Sequence, residues 1–449
     1  MQPLDTNNPN TTKVRWPLPV YALFAYMAAI TVFGKGPTYL GFPPLYWGEL
    51  TMLVGGFWML LPSSRPQVAT SLPRTLGALI VAFMCQGGLQ LVAEVLTGQD
   101  TKMAIRDSAI WYYCVFFFFG LALARRPANA DLFWNRMQWA WLFALLWHLG
   151  NFITQNWPIL HSPLVPGRGV RVLSNSGSEA QQHVFLAAVL IILAPHLASR
   201  LRGRWIWLAM SFLGALRVLV SWGRATKLAA LAALLVAIVT SFGGAPRVWP
   251  AGQLPLAIFI PTIAALGAVL VLPYEQLYAK AGLNRFENML DEKRGTTYWR
   301  RIWWNNIHEA VWGESPMLGL GFGESLGKYN PHIQGDELAG PWAIRSPHNI
   351  NITVYARMGI LGSTLWLVML IAGLGRLALF VRTSKNRWGQ FTSERRKELT
   401  FWLMMLTASW INSSFGLLME GPVLGVWYWF AMGFAQGRAR TADGTVPTA

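Results

Sequence analysis

Apolar residues recur along this chain in runs long enough to cross a lipid bilayer. A helix needs about 20 predominantly apolar residues to span roughly 30 Å of hydrocarbon, and runs near that length follow one another from end to end. The pattern predicts an all-α, polytopic membrane protein. Its transmembrane helices number about twelve: Leu18 to Phe33, Tyr46 to Leu61, Thr75 to Val92, Ile110 to Leu123, Phe133 to Phe152, Val184 to Leu197, Trp205 to Val220, Leu228 to Phe242, Leu256 to Leu272, Ile350 to Val381, Leu399 to Ser413 and Leu417 to Phe434.

The composition agrees with the pattern and excludes an ordinary water-soluble domain. Hydrophobic residues make up 53% of the chain and charged residues 13%, whereas soluble domains carry about 25% charged residues. The mean hydropathy is +0.34. Cys85 and Cys114 fall in or beside apolar runs without metal-ligand spacing, so we expect them to be small buried side chains.

The distribution of basic residues sets the expected orientation. A net charge of +17 is common in nucleic-acid-binding proteins, but here the basic residues follow the alternation of the predicted spans. Short loops rich in lysine and arginine face the cytoplasm, so we expect lipids rather than nucleic acid as partners and both termini inside. The basic residues on that side are Lys13, Arg15, Arg65, Arg125, Arg126, Arg200, Arg202, Arg204, Arg247, those from Arg376 to Lys397, Arg438 and Arg440.

Two long segments lie on the opposite, outward face. One runs from Asn151 to His183, and the other comprises residues 273–347. The second loop separates residues 1–272 from residues 348–449, so that the chain has three parts. Residues 1–272 carry nine predicted spans, and residues 348–449 carry the last three and a cytoplasmic tail. Long polar segments between tight connections are usually functional, so the outward loops are the expected location of a site.

The large loop contains an amphipathic pattern. Apolar residues recur at spacings of three and four, which predicts a helix with its tryptophans at the membrane interface. We expect this helix to end near Gly313 and the pair Ser315-Pro316. The apolar positions are Trp299, Ile302, Trp303, Ile307 and Val311.

Three alternating glycines follow the amphipathic helix, at Gly319, Gly321 and Gly323. Glycine permits backbone conformations that other residues avoid, so the pattern predicts a flexible turn. A nucleotide-binding loop would follow a strand, and no strand is predicted here.

Two arginines stand at or inside predicted spans near the outward face. Arg217 lies within the seventh span, and Arg224 begins the eighth after a short turn, with Lys227 one turn deeper. Cations at membrane depth usually face a bundle interior or a water-filled cavity. We therefore predict a ligand-binding role for Arg224, whereas snorkelling to the interface also suits Arg217 and Lys227.

Four more arginines lie in the outward loops. Arg300 and Arg301 are adjacent on the amphipathic helix, and Arg168 and Arg171 are in the first loop. Adjacent helical residues point about 100° apart, so only one of Arg300 and Arg301 is expected to face a site while the other meets lipid headgroups or water. Arg168 and Arg171 suit a solvated loop as well as a ligand.

A histidine stands where the large loop meets the tenth span. Arginine binds phosphate oxygens through paired hydrogen bonds and stays charged when partly desolvated, so converging arginines predict a lipid-linked diphosphate ligand. Histidine, with an ordinary pKa of about 6.5, accepts a proton from a hydroxyl near neutral pH. His348 is the predicted general base, and Asn349 is expected to cap the helix or orient the ring.

These segments resemble the O-antigen ligase and O-antigen polymerase superfamily. The ligase motif is similar to His348-Asn349, the nine residues Ile350 to Met358, and Gly359-Ile360-Leu361, although Gly362-Ser363-Thr364 stands where that motif ends in Thr-Thr. Upstream, "YWRRIWWNNIHEAVWGESPMLGLGFG" resembles the superfamily's arginine, tryptophan and Pro-x-x-Gly-x-Gly stretch, and "SWGRATKLAALAALL" resembles its arginine-led central span.

The resemblance implies a GT-C-like inverting glycosyltransferase in the bacterial inner membrane with its active site facing the periplasm. The implied donor is an undecaprenyl-diphosphate-linked glycan and the implied acceptor is lipid A-core. No metal or other cofactor is expected, since the outward loops show no Asp-x-Asp pair. The motif favours a ligase over a polymerase that joins lipid-linked repeats or a branch that glycosylates proteins. A lipid or solute transporter is the alternative from another class.

Overall fold

The computed structural model describes residues 16–42, 45–60, 74–154, 178–193, 213–214, 224–242, 296–331, 346–387, 393–416 and 419–441. These residues are predominantly helical, which confirms the all-α class. A two-residue antiparallel ladder pairs Gly41–Phe42 (β1) with Leu45–Tyr46 (β2). The helices are α1 (Leu18–Phe33), α2 (Trp47–Leu60), α3 (Arg74–Leu96), α4 (Thr101–Asp107), α5 (Ala109–Tyr112), α6 (Val115–Ala124), α7 (Pro127–Thr154), α8 (Ser178–Leu193), α9 (Arg224–Phe242), α10 (Thr296–Glu314), α11 (Ile350–Arg387), α12 (Ser393–Ser413) and α13 (Pro422–Thr441).

Membrane-length helices are present among the described residues. Thr75–Leu96 in α3 and Ile350–Val381 in α11 are each long and apolar enough to cross a bilayer. Thr101–Asp107 and Ala109–Ala124 together make a third candidate, bent by 43°. The protein therefore has the hydrophobic helices of a membrane protein. The predicted spans from Trp205 to Val220, apart from Leu213 and Gly214, and from Leu256 to Leu272 lie outside the described residues.

The fourth predicted span begins earlier than expected and is not a single straight helix. It was expected as one helix from Ile110 to Leu123, but helical structure begins nine residues earlier, at Thr101, and is interrupted near Ser108. The Asp100 carboxylate accepts hydrogen bonds from the Lys102 and Met103 amides and so caps α4. This local cap stabilises a helix start that hydrophobicity alone does not indicate.

The first outward loop was predicted to extend to His183, and this is wrong. Helix α8 begins at Ser178, and both Gln182 and His183 are buried within it. Gln182 donates to the Ser409 hydroxyl at 2.6 Å and accepts from Asn412 at 3.0 Å, both on α12. Partners on a distant helix let polar residues enter the interior, so the polar start of this helix was mistaken for loop.

Helices α9 and α12 pack side by side, and a contact between the start of one and the end of the other shows that they run in opposite directions. Arg396, near the start of α12, donates to the carbonyl of Thr240, near the end of α9. Each helix extends about 24 Å from that contact. Position 224, at the start of α9, therefore lies at the same end of the bundle as Ser413, at the end of α12.

Helix α11 is broken at Gly359. The backbone of Gly359 has φ 63° and ψ −160°, a region that is essentially restricted to glycine. Trp366 Nε1 donates to Asn351 Oδ1 at 3.0 Å, although the two residues are 15 positions apart. A straight helix would separate them by about 22 Å. The nine-residue first limb, Ile350 to Met358, therefore folds back along the second limb, Ile360 to Arg387.

The three-glycine segment after α10 clamps this break. Ala356 and Arg357 carbonyls accept hydrogen bonds from the Leu320 and Gly321 amides, at 2.7 and 3.2 Å. In the other direction, the Ile360 amide donates to the Pro316 carbonyl at 2.9 Å. The predicted turn is therefore a set of backbone partners for helix ends that would otherwise be unsatisfied.

Two glutamines of α3 complete the clamp. Gln90 Nε2 donates to the carbonyls of Leu318 and Arg357 at 2.7 and 2.6 Å. Gln86 Nε2 donates to the Met358 carbonyl at 3.0 Å. Three structural elements thus meet at Gly359, and their contacts fix α10 against α11.

Replacing Gly359 by alanine is expected to lower the free energy of unfolding by about 3 kcal/mol. An added Cβ would stand 2.4 Å from the Met317 carbonyl oxygen and 2.5 Å from the Gly319 nitrogen. The decrease in the free energy of unfolding is measured as the shift of the SDS-induced unfolding curve of the purified variant relative to wild type.

Gly375→Ala on the second limb is the matched control. A Cβ at Gly375 meets no atom within 4 Å, and alanine is the better helix former. Its stability should be unchanged or slightly higher. Equal unfolding curves for the two variants would show that the break imposes no requirement for glycine.

Candidate functional site

Asn349 begins the first limb of α11. Its side-chain Oδ1 accepts hydrogen bonds from the amides of Asn351 and Ile352, at 3.0 and 3.4 Å. This is the geometry of an N-cap, in which a short polar side chain satisfies the free amides of the first turn. Asn349 is therefore a helix cap, one of the two roles that the sequence suggested.

His348, just before the cap, has an unusual backbone conformation. Its φ is 57°, and among the described residues it is the one non-glycine with positive φ. The left-handed conformation costs an L-residue roughly 1–2 kcal/mol. Strain of this kind persists where surrounding contacts enforce it, and it clusters at functional sites.

Contacts on both sides of His348 hold this conformation. Ser346 and Thr353 both donate from their hydroxyls to Glu420 Oε1, each at 2.7 Å. Trp304 Nε1 donates to the Pro347 carbonyl at 2.9 Å. Glu420 precedes α13 and Trp304 lies on α10, so two separate elements fix the main chain on either side of the histidine.

Glu420 is the carboxylate of this arrangement. It lies between α12 and α13 and accepts hydrogen bonds from the Ser346 and Thr353 hydroxyls. The sequence placed Glu420 near a span end and did not identify it as part of a site.

The His348 ring lies in an aromatic corner made by α10. Its centroid is 6.4 Å from Trp299, edge-on at 87°, and 6.3 Å from Trp303. Trp303 is fully buried and donates to the Leu326 carbonyl at 2.7 Å. Trp303 therefore packs on protein and does not contact lipid.

The apolar stripe of α10 packs on protein instead of facing lipid. It forms a small core with the first limb of α11 and the 3-10 turn Leu326–Tyr329. The spacing of apolar residues predicts the helix and its apolar face, but it does not indicate which part of the protein packs on that face. The fully buried members are Trp303, Ile307, Val311, Leu326 and Ala356.

Arg300 and Arg301 differ in the way the helix geometry requires. Arg300 is half-buried, and its Nη1 donates to the Phe415 carbonyl at 3.4 Å. Its guanidinium carbon lies 5.4 Å from the centre of the Trp299 ring. Arg301 is exposed. Arg300 is therefore the member of the pair that lies beside His348.

The remaining predicted arginines are only partly placed. Arg168, Arg171 and Arg217 lie outside the described residues. Arg224 is the first residue of α9. Because α9 and α12 run antiparallel, position 224 lies at the end of the bundle where Phe415 contacts Arg300.

Two polar residues of the first limb were not anticipated as parts of the site. Arg357 is buried, and it donates to the Gly321 carbonyl at 3.0 Å and to the Asp107 carboxylate at 2.9 Å. Asn351 accepts from Trp366 and Trp410 and donates to Ser414 at 3.1 Å. Arg357 lies inside the predicted tenth span, so it carried the same sequence signal that singled out Arg224, a cation at an apolar run.

No protein-family model matches this chain, and no curated protein matches its sequence. Its function is therefore argued from the geometry of its own residues. The site brings together a strained histidine, a half-buried arginine and a carboxylate that holds the main chain. These residues lie at the N-terminal end of α11, the helix that is broken at Gly359.

Burial, together with the smaller effect of the positive charge of Arg300, lowers the pKa of His348 to about 4. The ring is consequently neutral at pH 7 and available as a proton acceptor. Removing Arg300 removes a charge that opposes protonation, so the pKa must rise, while burial keeps it below the ordinary value of about 6.5.

Arg300→Gln is therefore expected to raise the pKa of His348, and Arg301→Gln is expected to leave it unchanged. The measurement is an NMR titration of the protein with isotope-labelled histidine, and His348→Ala assigns the signal. An unchanged pKa in Arg300→Gln, or equal shifts in both variants, would contradict this electrostatic coupling.

Proposed function

We propose that this protein is a membrane glycosyltransferase that transfers a glycan from undecaprenyl diphosphate to a lipid A-core acceptor, as O-antigen ligases do. The observation that carries the proposal is His348, held in a strained conformation beside Arg300 at the start of a broken helix. In this proposal the bundle has about twelve spans of GT-C type in the bacterial inner membrane, and the site faces the periplasm.

The motif residues that prompted the family resemblance contact one another. The glycines of the Pro-x-x-Gly-x-Gly stretch clamp Gly359, which ends the segment that begins with His348 and Asn349. Two stretches separated in sequence thus form one unit of structure. The contact between the two matched stretches supports the resemblance, because both stretches then belong to one structural unit.

The proposed reaction follows from these groups. His348 takes the proton of an acceptor hydroxyl, whose oxygen attacks the anomeric carbon from the face opposite the diphosphate. The bond between that carbon and the diphosphate oxygen breaks, and undecaprenyl diphosphate leaves. The anomeric carbon of the transferred sugar has the inverted configuration in the product. Arg300, with Arg224 from the neighbouring end of α9, binds the diphosphate and stabilises its growing charge.

Donor binding also adjusts the base. Arg300 disfavours protonation of His348 in the empty site. A bound diphosphate offsets the charge of Arg300, so the pKa of His348 rises toward the working pH when the donor is present. A base matched to the pH of the reaction transfers protons most effectively. The histidine is therefore a stronger base when the donor is bound than in the empty site.

A transporter is the second candidate. Two bent segments, α4 with α5–α6 and the two limbs of α11, meet at the ion pair of Asp107 and Arg357. Paired broken helices at a charged site are typical of transporters. The buried ion pair satisfies its own charges, however, whereas the arrangement of His348 and Arg300 suits proton transfer.

The decisive experiment is an assay of the purified protein with a lipid-diphosphate glycan, with and without EDTA. Lipid A-core is offered as one acceptor and a second glycan-lipid as the other, and mass spectrometry shows which one gains mass. We expect lipid A-core to gain the glycan and EDTA to have little effect.

In the same assay, His348→Ala should abolish transfer while donor binding stays near normal, since a base acts mainly in the transition state. Mass gain on the glycan-lipid would identify a polymerase, and no gain on either would refute the transferase proposal.

Arg300→Lys is expected to lower kcat/KM at least tenfold, a loss of about 1.4 kcal/mol, because a lysine cannot supply the paired hydrogen bonds of a guanidinium. Arg301→Lys is the matched control on the same helix and should stay within about twofold of wild type. Initial rates at several donor concentrations give both values. If Arg300→Lys and Arg301→Lys have the same kcat/KM, Arg300 does not bind the diphosphate through paired hydrogen bonds.

A further inference from the structure

A row of ring-bearing side chains leads away from His348 along one edge of α10. Trp304, His308 and Trp312 are spaced by four residues, and Tyr355 of α11 lies beside them. We name these four residues the aromatic track. We propose that the aromatic track binds the sugar chain of a membrane-anchored glycan, with the end that carries the diphosphate at Arg300. The identity of that glycan as a substrate rests on the proposed function.

The spacing places the rings in a row that winds slowly around α10. Residues four apart on a helix are neighbours, about 6 Å apart along the axis and about 40° apart around it. Arg300 is four residues before Trp304, so the row begins at the cation beside His348, rises about 18 Å to Trp312 and turns about 120° around the helix. A linear polymer anchored at His348 would follow this winding path.

Three of the four rings of the aromatic track, those of Trp304, His308 and Tyr355, are held by contacts within the protein. Trp304 donates to the Pro347 carbonyl at 2.9 Å. His308 Nδ1 and the Tyr355 hydroxyl are 2.9 Å apart, and their rings stack at 5.7 Å with an angle of 28°. Fixed side chains lose little conformational entropy on binding. This part of the aromatic track is therefore preorganised.

The far end of the aromatic track is open. Trp312 is 62% exposed, its ring centre is 6.1 Å from that of His308, and His308 is exposed as well. An exposed aromatic face offers apolar contact to the C–H face of a sugar ring, while the imidazole and phenol supply polar atoms for hydroxyls. This combination fits a carbohydrate better than an acyl chain.

The neighbouring surface of α10 supports the same ligand class. Asn305 and Glu309 flank the aromatic track and are both exposed. A face that met acyl chains would exclude such groups, because polar side chains are costly in hydrocarbon. Hydroxyl-rich ligands, by contrast, can exchange hydrogen bonds with them.

The first test measures binding without turnover. The probe is the oligosaccharide pool that mild acid releases from the diphosphate-linked glycans of the source cells, and calorimetry with the purified protein gives Kd. Trp312→Ala and His308→Ala should each weaken binding about fivefold to tenfold. Trp139→Ala is the control, since Trp139 is a tryptophan of α7 that is 48% exposed. It should not change Kd. Wild-type affinity in both aromatic-track variants would overturn the proposal.

The second test separates sugar binding from a membrane anchor. If Trp312 contacts the sugar chain, Trp312→Ala raises KM for a long-chain donor about tenfold and leaves KM for a single-sugar donor unchanged. If Trp312 only anchors α10 in the interface, both donors are affected equally, and the proposal fails. Because the calorimetry needs no transfer, it tests sugar binding by the aromatic track even if the transferase proposal is refuted.

Discussion

The structure depends on satisfying the backbone groups that the break at Gly359 leaves without helical partners. An unpaired peptide group costs several kcal/mol in an apolar medium. The segment Pro316 to Gly321 and the side chains of Gln86 and Gln90 supply the missing donors and acceptors. Because the same segment follows α10 directly, satisfying the break also sets where α10 lies. The position of Arg300 beside His348 is thus a consequence of hydrogen bonding some distance away.

Much of the local structure was predictable, and most long-range contacts were not. Periodicity gave α10 and its apolar stripe, the cap at Asn349 followed from residue type, and helical geometry required Arg300 and Arg301 to diverge. The break at Gly359 was missed because an isolated glycine is ordinary in an apolar span. Gln182 and His183 were assigned to a loop because their partner Asn412 and the ring of Trp141 come from other helices. Polar residues enter the interior only where distant elements receive them.

The candidate site shows how several weak constraints produce one uncommon backbone conformation. The Ser346 and Thr353 hydroxyls converge on a single oxygen of Glu420, and Trp304 holds the intervening carbonyl of Pro347. Each bond contributes about 1 kcal/mol, which together exceeds the strain at His348. Other contacts set the protonation of the ring: its burial beside Trp299 and Trp303 and the positive charge of Arg300 lower its pKa. Hydrogen bonds thus fix the backbone of the histidine, while burial and a neighbouring charge keep its ring neutral.

The nine-residue limb between Asn349 and Gly359 has a consequence for how this chain can diverge in length. Both ends of the limb are fixed to other elements, one by the cap and Glu420 and the other by the glycine clamp. Inserting or deleting one residue would turn one end by about 100° and move it about 1.5 Å relative to the other. No local adjustment absorbs that rotation, since helical residues have no slack. The length of this segment is therefore more tightly constrained than the identity of its half-buried side chains, so that substitutions there are tolerated where insertions and deletions are not.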